Sequence, residues 1–555
     1  MSGVMILFVV LFCMGSAHAE LVWLLLQDKI SPKGRVISWD LSRHTYDVRE
    51  QDFPVRKDYI REIEEIGVRV RITSRWINAV SVDASEYQKI QLSKLKFIKS
   101  IIPVRRLPKP DKRNGQPLPA GRTAYGNDYY GNSYEQLAQV NVIPLHQMGF
   151  RGAGIRIAIL DNGFHYREHP AFLNGLRVVA ERDFINSDAI VSDEVGQPYT
   201  GDEDRSSQNI HGAQVLSIMA GNDIGSFVGV APDAEYILAK TEDNGSEYPI
   251  EEDRWVAGLE WADSLGADVV NSSLGYNLWD DGSGYNYDDL DGTTALTSVA
   301  ATLGVKRGLV IVVAAGNEGL SSWHYITAPA DADGVTSVGS IALNTGYESQ
   351  IRISTTSSRG PTADGRIKPD LVAPGQGVVV ADIRSGGYIR NNGTSFAAPI
   401  VSGISALMLQ INPDLEPNQV LSMLRGSAID LGDSGADTVY GWGLVNALGA
   451  SGIHMPVPQS TELNAPSPNP VTGEINQVFF PAKIAEPTNV SLYVFDVGGS
   501  LVFRQENYFL SGVYQATNGA PAWRLDNSLA NGIYFYKLAA GQKTINGTLA
   551  IAREK

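Results

Sequence analysis

The sequence predicts a multidomain protein. Its largest part is an α/β domain with a central, mostly parallel sheet, preceded by a small α+β unit and followed by an all-β sandwich. Three observations carry this. Between residues 134 and 453, five apolar, β-branched runs alternate with helical stretches: IRIAIL (155–160), AEYILAKT (234–241), ADVVNSS (267–273), LVIVVAAG (309–316) and TSVGSIAL (336–343). Such runs suit strands buried on both faces, as in a parallel sheet covered by helices. After MPVPQSTELNAPSPNP (455–470) the pattern changes to alternation with Gly-Gly and Asn-Gly turns, in VSLYVFDVGGSLVFRQ and NGIYFYKLAAGQKTINGTLAIA. Ahead of residue 134 lie a short mixed segment and a stretch rich in Pro, Gly and Asn.

Taken in order, residues 1–19 hold an apolar run at 4–12 and end in Ala17-His18-Ala19, the pattern of a secretory signal cleaved before Glu20. The run is short for a membrane span, and no Lys or Arg precedes it. Cys13, the one cysteine of the chain, lies inside this segment. The exported protein is therefore expected to have neither a disulfide framework nor a catalytic cysteine. Export without cysteine points to a bacterial protein, secreted or at the cell surface. In residues 20–107, Tyr59, Ile63 and Ile66 mark one helix face, with Gly67 placed to stop it. VRVRITSRWINAVSVDAS (68–85) alternates as two strands, and QLSKLKFIKSIIPVRRL (91–107) reads as helix then strand. The basic end of this region, with Lys94, Lys96, Lys99, Arg105 and Arg106, reads as solvated surface. Residues 108–133 read as an exposed linker of the kind proteases cut. The α/β domain then spans 134–453, a second linker 454–464, and the all-β module 465–555. A length of 555 residues suits about three domains. A net charge of −16 argues against nucleic acid as a partner, since phosphate binding needs a positive surface.

Three places in the α/β region hold polar residues that packing does not ask for. Asp161 follows a strand in ILDNGF, His211 opens an apolar helix in NIHGAQVLSIMAG, and Ser395 opens another in GTSFAAP. Taken singly they read as an Asx turn, a surface histidine and a helix cap; His165 and His169 compete with His211 for any role beside Asp161. Their order is more telling. A serine nucleophile near neutral pH needs an imidazole base, and the imidazole needs a carboxylate to hold its tautomer. Asp…His…Ser is one of three known chain orders for that set, and GTSFA lacks the second glycine of a GxSxG elbow. Asn317, in VVAAGNEG, is placed to donate its side-chain amide to a developing oxyanion, with the Ser395 N–H at a helix N-terminus as second donor. The Ser395 hydroxyl is expected to point toward His211, and Pro399 to fall in or near the first helical turn, where backbone donors are unpaired.

These motifs resemble those of the subtilisin-like serine endopeptidases, the subtilase family. ILDNGF, HGAQVLSIMAG and GTSFAAPIVSG are similar to its aspartate, histidine and serine motifs. GVAPDAEYILAKT, ADVVNSSLGY, SSRGPTADGRIKPDLVAPG and GWGLVNA support the likeness. The resemblance implies a subtilisin-like fold for 134–453 and a protein- or peptide-cleaving enzyme. In it Asp161 orients His211, His211 is general base and acid, Ser395 forms the acyl-enzyme, and Asn317 completes the oxyanion hole. Ser273, Leu274 and Gly275 match the segment that binds substrate as an extended strand and lines the main specificity pocket. Two departures stand out: Asn162 replaces the usual Thr or Ser, and Ala213-Gln214 replace Thr-His after His211-Gly212. Residues 20–107 resemble an inhibitory, chaperone-like propeptide, so the enzyme is expected as a zymogen. Residues 465–555 resemble C-terminal sorting modules read by outer-membrane secretion machinery. No cofactor is required by this chemistry and no metal ligand is assigned. Many family members bind structural Ca²⁺, and the acidic stretches DEDRSS (202–207) and LWDDGSGYNYDDLDG (278–292) offer oxygen ligands; lacking an EF-hand register, they read as solvated loops. The competing expectation is a catalytically silent scaffold of this fold that only binds peptides; an esterase is disfavoured by the missing elbow.

Overall fold

The computed structural model describes residues 20–30, 36–38, 52–104, 116–117, 129–192, 208–244, 248–279, 283–344, 351–453, 460–472, 477–486, 488–509, 512–514, 520–525 and 529–553. The expected signal with Cys13, most of the 108–133 linker and the acidic stretch 202–207 lie outside these residues.

The N-terminal unit is a four-stranded antiparallel sheet with two helices. Strands β1 (Glu20–Leu26), β2 (Arg69–Ser74), β3 (Ala79–Ala84) and β4 (Ile98–Val104) lie in the order β2-β3-β1-β4. Helix α1 (Lys57–Glu65) stops at Gly67, whose φ of 83° is left-handed territory open to glycine. Helix α2 (Glu86–Leu92) starts with a capping box between Ser85 and Gln88. Alternate residues Val22, Leu24, Leu26, Val80 and Val82 face the helices and pack with Tyr59 and Ile63, Tyr59 stacking on Phe97 at 3.9 Å. The expected α+β unit is present, with its first helix and the two strands of 68–85; the second helix, however, lies at Glu86–Leu92, ahead of most of the 91–107 stretch read as helix then strand, where turns at 93–97 lead into β4.

The α/β region is built on strands β5 (Arg156–Asp161), β6 (Arg177–Asp183), β7 (Glu235–Lys240), β8 (Val269–Ser272), β9 (Val310–Ala314), β10 (Thr336–Ala342), β11 (Leu371–Asp382) and β12 (Gly387–Asn392). With Gln116–Pro117 at one edge, the order is (116–117)-β12-β11-β10-β9-β8-β5-β7-β6. Pairing is parallel from β6 to β11 and antiparallel on both sides of β12. All five strands expected from sequence are there. β6, β11 and β12 are not among those five; β11 contains Pro374, Gly375 and Gly377 and absorbs them with a register shift between Gln376 and Val378.

Helices cover both faces. α3 (Ile210–Ala220) and α6 (Thr394–Ile411) share a core with Ile157, Ile159, Val310 and Val312. On the other face, α4 (Ile250–Ser264) approaches Leu160 through Gly258, and α5 (Leu296–Lys306) approaches Ile311 through Gly304. α6 is apolar and long enough to cross a membrane, yet 89% of its apolar window is buried in the protein. Its hydrophobicity serves the core.

The sheet order reverses at β5. β7 lies on one side of it and β8 on the other, which makes the carboxyl ends of β5 and β8 the crevice where ligands bind in such sheets. The C-terminal region is all-β, as expected. A five-stranded sheet contains Val471–Thr472 and strands β13 (Thr488–Phe495), β14 (Leu501–Phe509), β15 (Gly532–Ala540) and β16 (Lys543–Ala552). Together with a three-stranded and a two-stranded sheet it encloses one core that includes Val478, Phe480, Trp523 and Leu538.

Candidate active site

Asp161 is the last residue of β5 and has no exposure to solvent. Its Oδ1 accepts from the Asn162 N–H at 2.8 Å and pairs with His211 Nδ1 at 2.7 Å. A carboxylate accepting at Nδ1 requires that nitrogen to carry the proton, so the imidazole presents Nε2 as its free base. His211 is the second residue of α3, about one third exposed, with its ring beside Phe396 at 5.5 Å.

Close backbone approach makes this pairing possible. A Cβ on Gly212 would sit 2.3 Å from the Gly163 carbonyl and 3.1 Å from Asp161 Cβ. Only glycine lets the start of α3 lie against the end of β5. The first turn of α3 also takes its cap from outside: Asn209 makes no side-chain cap bond, and Asn162 Oδ1 accepts from the Gly212 N–H at 3.0 Å. Asn162 Nδ2 donates to Asn244 Oδ1 at 3.0 Å. The departure to asparagine therefore supplies an acceptor to the histidine helix and a donor to the loop after β7. Gln214, the second departure, accepts from Asn391 Nδ2 at 3.1 Å and ties α3 to β12, the strand that leads to Ser395.

The competing histidines are structural. His169 accepts from the Ala171 N–H through Nδ1 and donates to the Gly387 carbonyl through Nε2, and burial lowers its pKa. His165 forms no hydrogen bond with Asp161; among the described residues only His211 is brought to that carboxylate.

Ser395 is the second residue of α6, behind Gly393, whose φ of 152° turns the chain into the helix. Its hydroxyl donates to the Ser273 carbonyl at 3.2 Å, and among the described residues no hydrogen bond joins it to His211. This corrects the expected orientation. A hydroxyl rotates freely about its Cα–Cβ bond, and in the resting protein the nearer acceptor is a buried main-chain oxygen. Catalytic hydrogen bonds often form only once substrate is bound.

Asn317 follows β9 and is exposed. Its Oδ1 accepts from both the N–H and the hydroxyl of Thr394, at 2.9 and 3.1 Å. A backbone N–H can only donate, so this contact assigns the amide. The Nδ2 group is left as a free donor beside the start of α6. Thr394 was not singled out from sequence, although its position next to Ser395 was the available signal.

Ser273, Leu274 and Gly275 follow β8 directly. Tyr276 then pairs with Ala328 as an antiparallel bridge. A Cβ on Gly275 would meet Thr327 Oγ1 at 2.2 Å, and one on Gly316 would meet the same atom at 3.0 Å. The 273–275 segment, the Asn317 turn and Thr327 thus converge, at the carboxyl ends of β8 and β9. Thr327 is a further residue that sequence reading missed.

In the described part of the acidic loop, the carboxylates cap their own turns. Asp289 accepts from Asn286, and Asp291 from the N–H groups of Thr293 and Thr294. Among the described residues no three His, Cys, Asp or Glu side chains converge. Residues 202–207 and 280–282 lie outside the described ones.

Known proteins match much of the chain. The model of the subtilase family matches residues 152–443, and that of the peptidase S8 propeptide domain of Bacteroidota matches 41–117. Subtilisin E of Bacillus subtilis (strain 168) is 30% identical over 333 residues, 58% of this chain and 74% of that protein. Subtilisin DY of Bacillus licheniformis is 32% identical over 308 residues, 55% of this chain and 93% of that protein. The crystal structure of fervidolysin from Fervidobacterium pennivorans, a keratinolytic enzyme related to subtilisin, superposes with a TM-score of 0.54 at 19% identity, over 97% of this chain and 92% of that one. That likeness speaks to the fold alone. With its family model covering more than half of the sequence and subtilisins aligned along most of their own length, the chain belongs to the subtilase family: it is a secreted bacterial serine protease made with a propeptide.

Proposed function

We propose that Asp161, His211 and Ser395 form the catalytic triad of this protease and that Asn317 Nδ2 and the Ser395 N–H form its oxyanion hole. The observation that carries this reading is the 2.7 Å bond between His211 Nδ1 and a carboxylate shielded from solvent. The substrate lies as an extended strand along Ser273, Leu274 and Gly275, held by main-chain hydrogen bonds. The Ser395 hydroxyl turns from the Ser273 carbonyl to His211 Nε2, gives up its proton there and attacks the scissile carbonyl. Negative charge moves to the carbonyl oxygen, where the two N–H donors meet it. Collapse expels the amine, which takes the proton from Nε2 and leaves Ser395 acylated. Water, deprotonated by the same nitrogen, then releases the acid.

A fluorophosphonate probe on the secreted protein tests the assignment. Wild type should be labelled and Ser395→Ala should not; labelling that persists in the variant removes Ser395 from the role. Wild type that resists the probe would favour a silent peptide-binding scaffold. Asn317→Ala should label more slowly and lower kcat about 10²- to 10³-fold, the general cost of losing one oxyanion donor, for which subtilisin itself is the reference case.

The propeptide domain is proposed to inhibit the enzyme in the same chain until it is cut, and the C-terminal all-β region to be the part that outer-membrane secretion machinery reads. The reaction as written uses only groups of this chain and no cofactor. Structural Ca²⁺ would act on stability, and thermal melts with and without a chelator test for it.

A further inference from the structure

Helix α6 carries a proline where its own hydrogen bonding should continue. Pro399 is the sixth residue of Thr394–Ile411, near the first turn but just beyond it. In an α-helix the N–H of residue 399 would donate to the carbonyl of residue 395. Proline has no N–H, and its ring crowds that same oxygen. The carbonyl left without its helical donor is that of Ser395.

A side chain from another element takes the missing donor's place. Ser273 Oγ donates to the Ser395 carbonyl at 2.8 Å. Ser273 Oγ in turn accepts from Asn271 Nδ2 at 3.0 Å, and Asn271 Oδ1 accepts from Ser402 Oγ at 2.8 Å. Ser402 lies on α6, beyond the proline. A directed chain of hydrogen bonds therefore leaves α6 at Ser402, passes through the end of β8 and re-enters α6 at Ser395, spanning Pro399. Every member is buried: Ser395 is 8% exposed, Ser273 5%, Asn271 and Ser402 0%. A buried carbonyl must find a donor somewhere, and here the end of β8 is what provides it.

We propose that the Ser273 hydroxyl is a positioning residue, which replaces the backbone donor removed by Pro399 and so holds the peptide that carries the nucleophile. Fixing the Ser395 carbonyl fixes the plane of the peptide joining Ser395 to Phe396. With it is set the direction of the Ser395 Cα–Cβ bond. This role belongs to the side chain alone and is separate from the strand-like backbone of Ser273, Leu274 and Gly275. It rests on the proposed role of Ser395 as nucleophile.

The test is a mutant cycle on the secreted protein, with kcat and KM for a short peptide substrate and a thermal melt for each variant. Ser273→Ala should lower kcat about 10- to 100-fold, the scale of a small misplacement of a reacting group, and leave KM unchanged. Pro399→Ala restores the N–H of residue 399, so it should keep kcat near wild type. The double variant Ser273→Ala/Pro399→Ala should return to the kcat of Pro399→Ala. A product of the two single losses would overturn the proposal. So would a Ser273→Ala enzyme with altered KM and normal kcat, or one with both unchanged. An independent pair covers poor folding of the proline variant: Ser273→Thr keeps the hydroxyl and should lose less kcat than the equally large Ser273→Val, which has none. Equal loss in both would also overturn the proposal. Ser395→Ala runs alongside: activity surviving there refutes the nucleophile, whereas its loss with an uncoupled cycle refutes only the hydroxyl's role.

Discussion

Asn162 shows how one side chain can serve two elements at once. Its oxygen caps the helix that bears His211 while its nitrogen holds Asn244. A threonine or serine offers one oxygen and cannot fill both places in the same way. Asn162→Ala should cost about 1–2 kcal/mol, the scale of losing a helix cap, measured by chemical denaturation, with a smaller effect on KM than on stability. His146 gives a prediction in pH. Its Nε2 donates to the Val230 carbonyl at 2.7 Å, its Nδ1 faces the Tyr130 hydroxyl at 3.3 Å, and burial pushes its pKa down to about 4. The unfolded chain binds this proton from about pH 6.5 downward, whereas the folded one resists it until about pH 4. Stability should therefore fall as pH drops through that window and level off below it, by about 3 kcal/mol in all. A melt series should show a flatter slope there for His146→Gln. An equal slope would mean that another group sets the acid limit.

At the scale of elements, the site depends on how closely α3 lies against β5. Gly212→Ala would place a methyl carbon where the Gly163 carbonyl already is, so the helix must back away and take His211 from Asp161. The expected outcome is a folded protein with little activity toward peptides and strongly reduced fluorophosphonate labelling. Normal labelling would show that the contact relaxes without cost. Elements also differ in how far their sequences announce them. β5, β8 and β9 are continuous apolar runs and read directly as buried strands. β11 does not, because Pro374, Gly375 and Gly377 look like punctuation. A Cβ on Gly375 would meet the Gly393 carbonyl at 2.6 Å, so that glycine serves the approach to Ser395, a requirement set by a neighbour rather than by its own strand. Pro399 is the same kind of case: its position in α6 makes sense only with Ser273 beside it.

Across the whole molecule, maturation is the event that joins the parts. Tyr130 is 3% exposed and Ser133 is fully buried, with the Ser133 hydroxyl donating to the carbonyls of Tyr130 and Val228. The Gly131 backbone also bridges to Phe227. A protease cannot readily draw these residues into a cleft, so the mature N-terminus should lie ahead of Tyr129. N-terminal sequencing of the secreted protein should find it there, and Ser395→Ala should remain uncut. A start within 130–133 would count against this boundary, and normal processing of the variant against cleavage of the chain by its own Ser395. The division of information follows from range. Local periodicity and composition determined the layered α/β architecture, the α+β unit before it and the all-β region after it. Motif order singled out Asp161, His211, Ser395 and Asn317, because the chemistry needs those residue types in a known arrangement. Which histidine meets the carboxylate, what Asn162, Thr394 and Thr327 do, and what compensates Pro399 are contacts between residues far apart in the chain. Their partners carry no mark in the local sequence; only when the parallel sheet brings the ends of β5, β8 and β9 together with the starts of α3 and α6 do these residues acquire their roles.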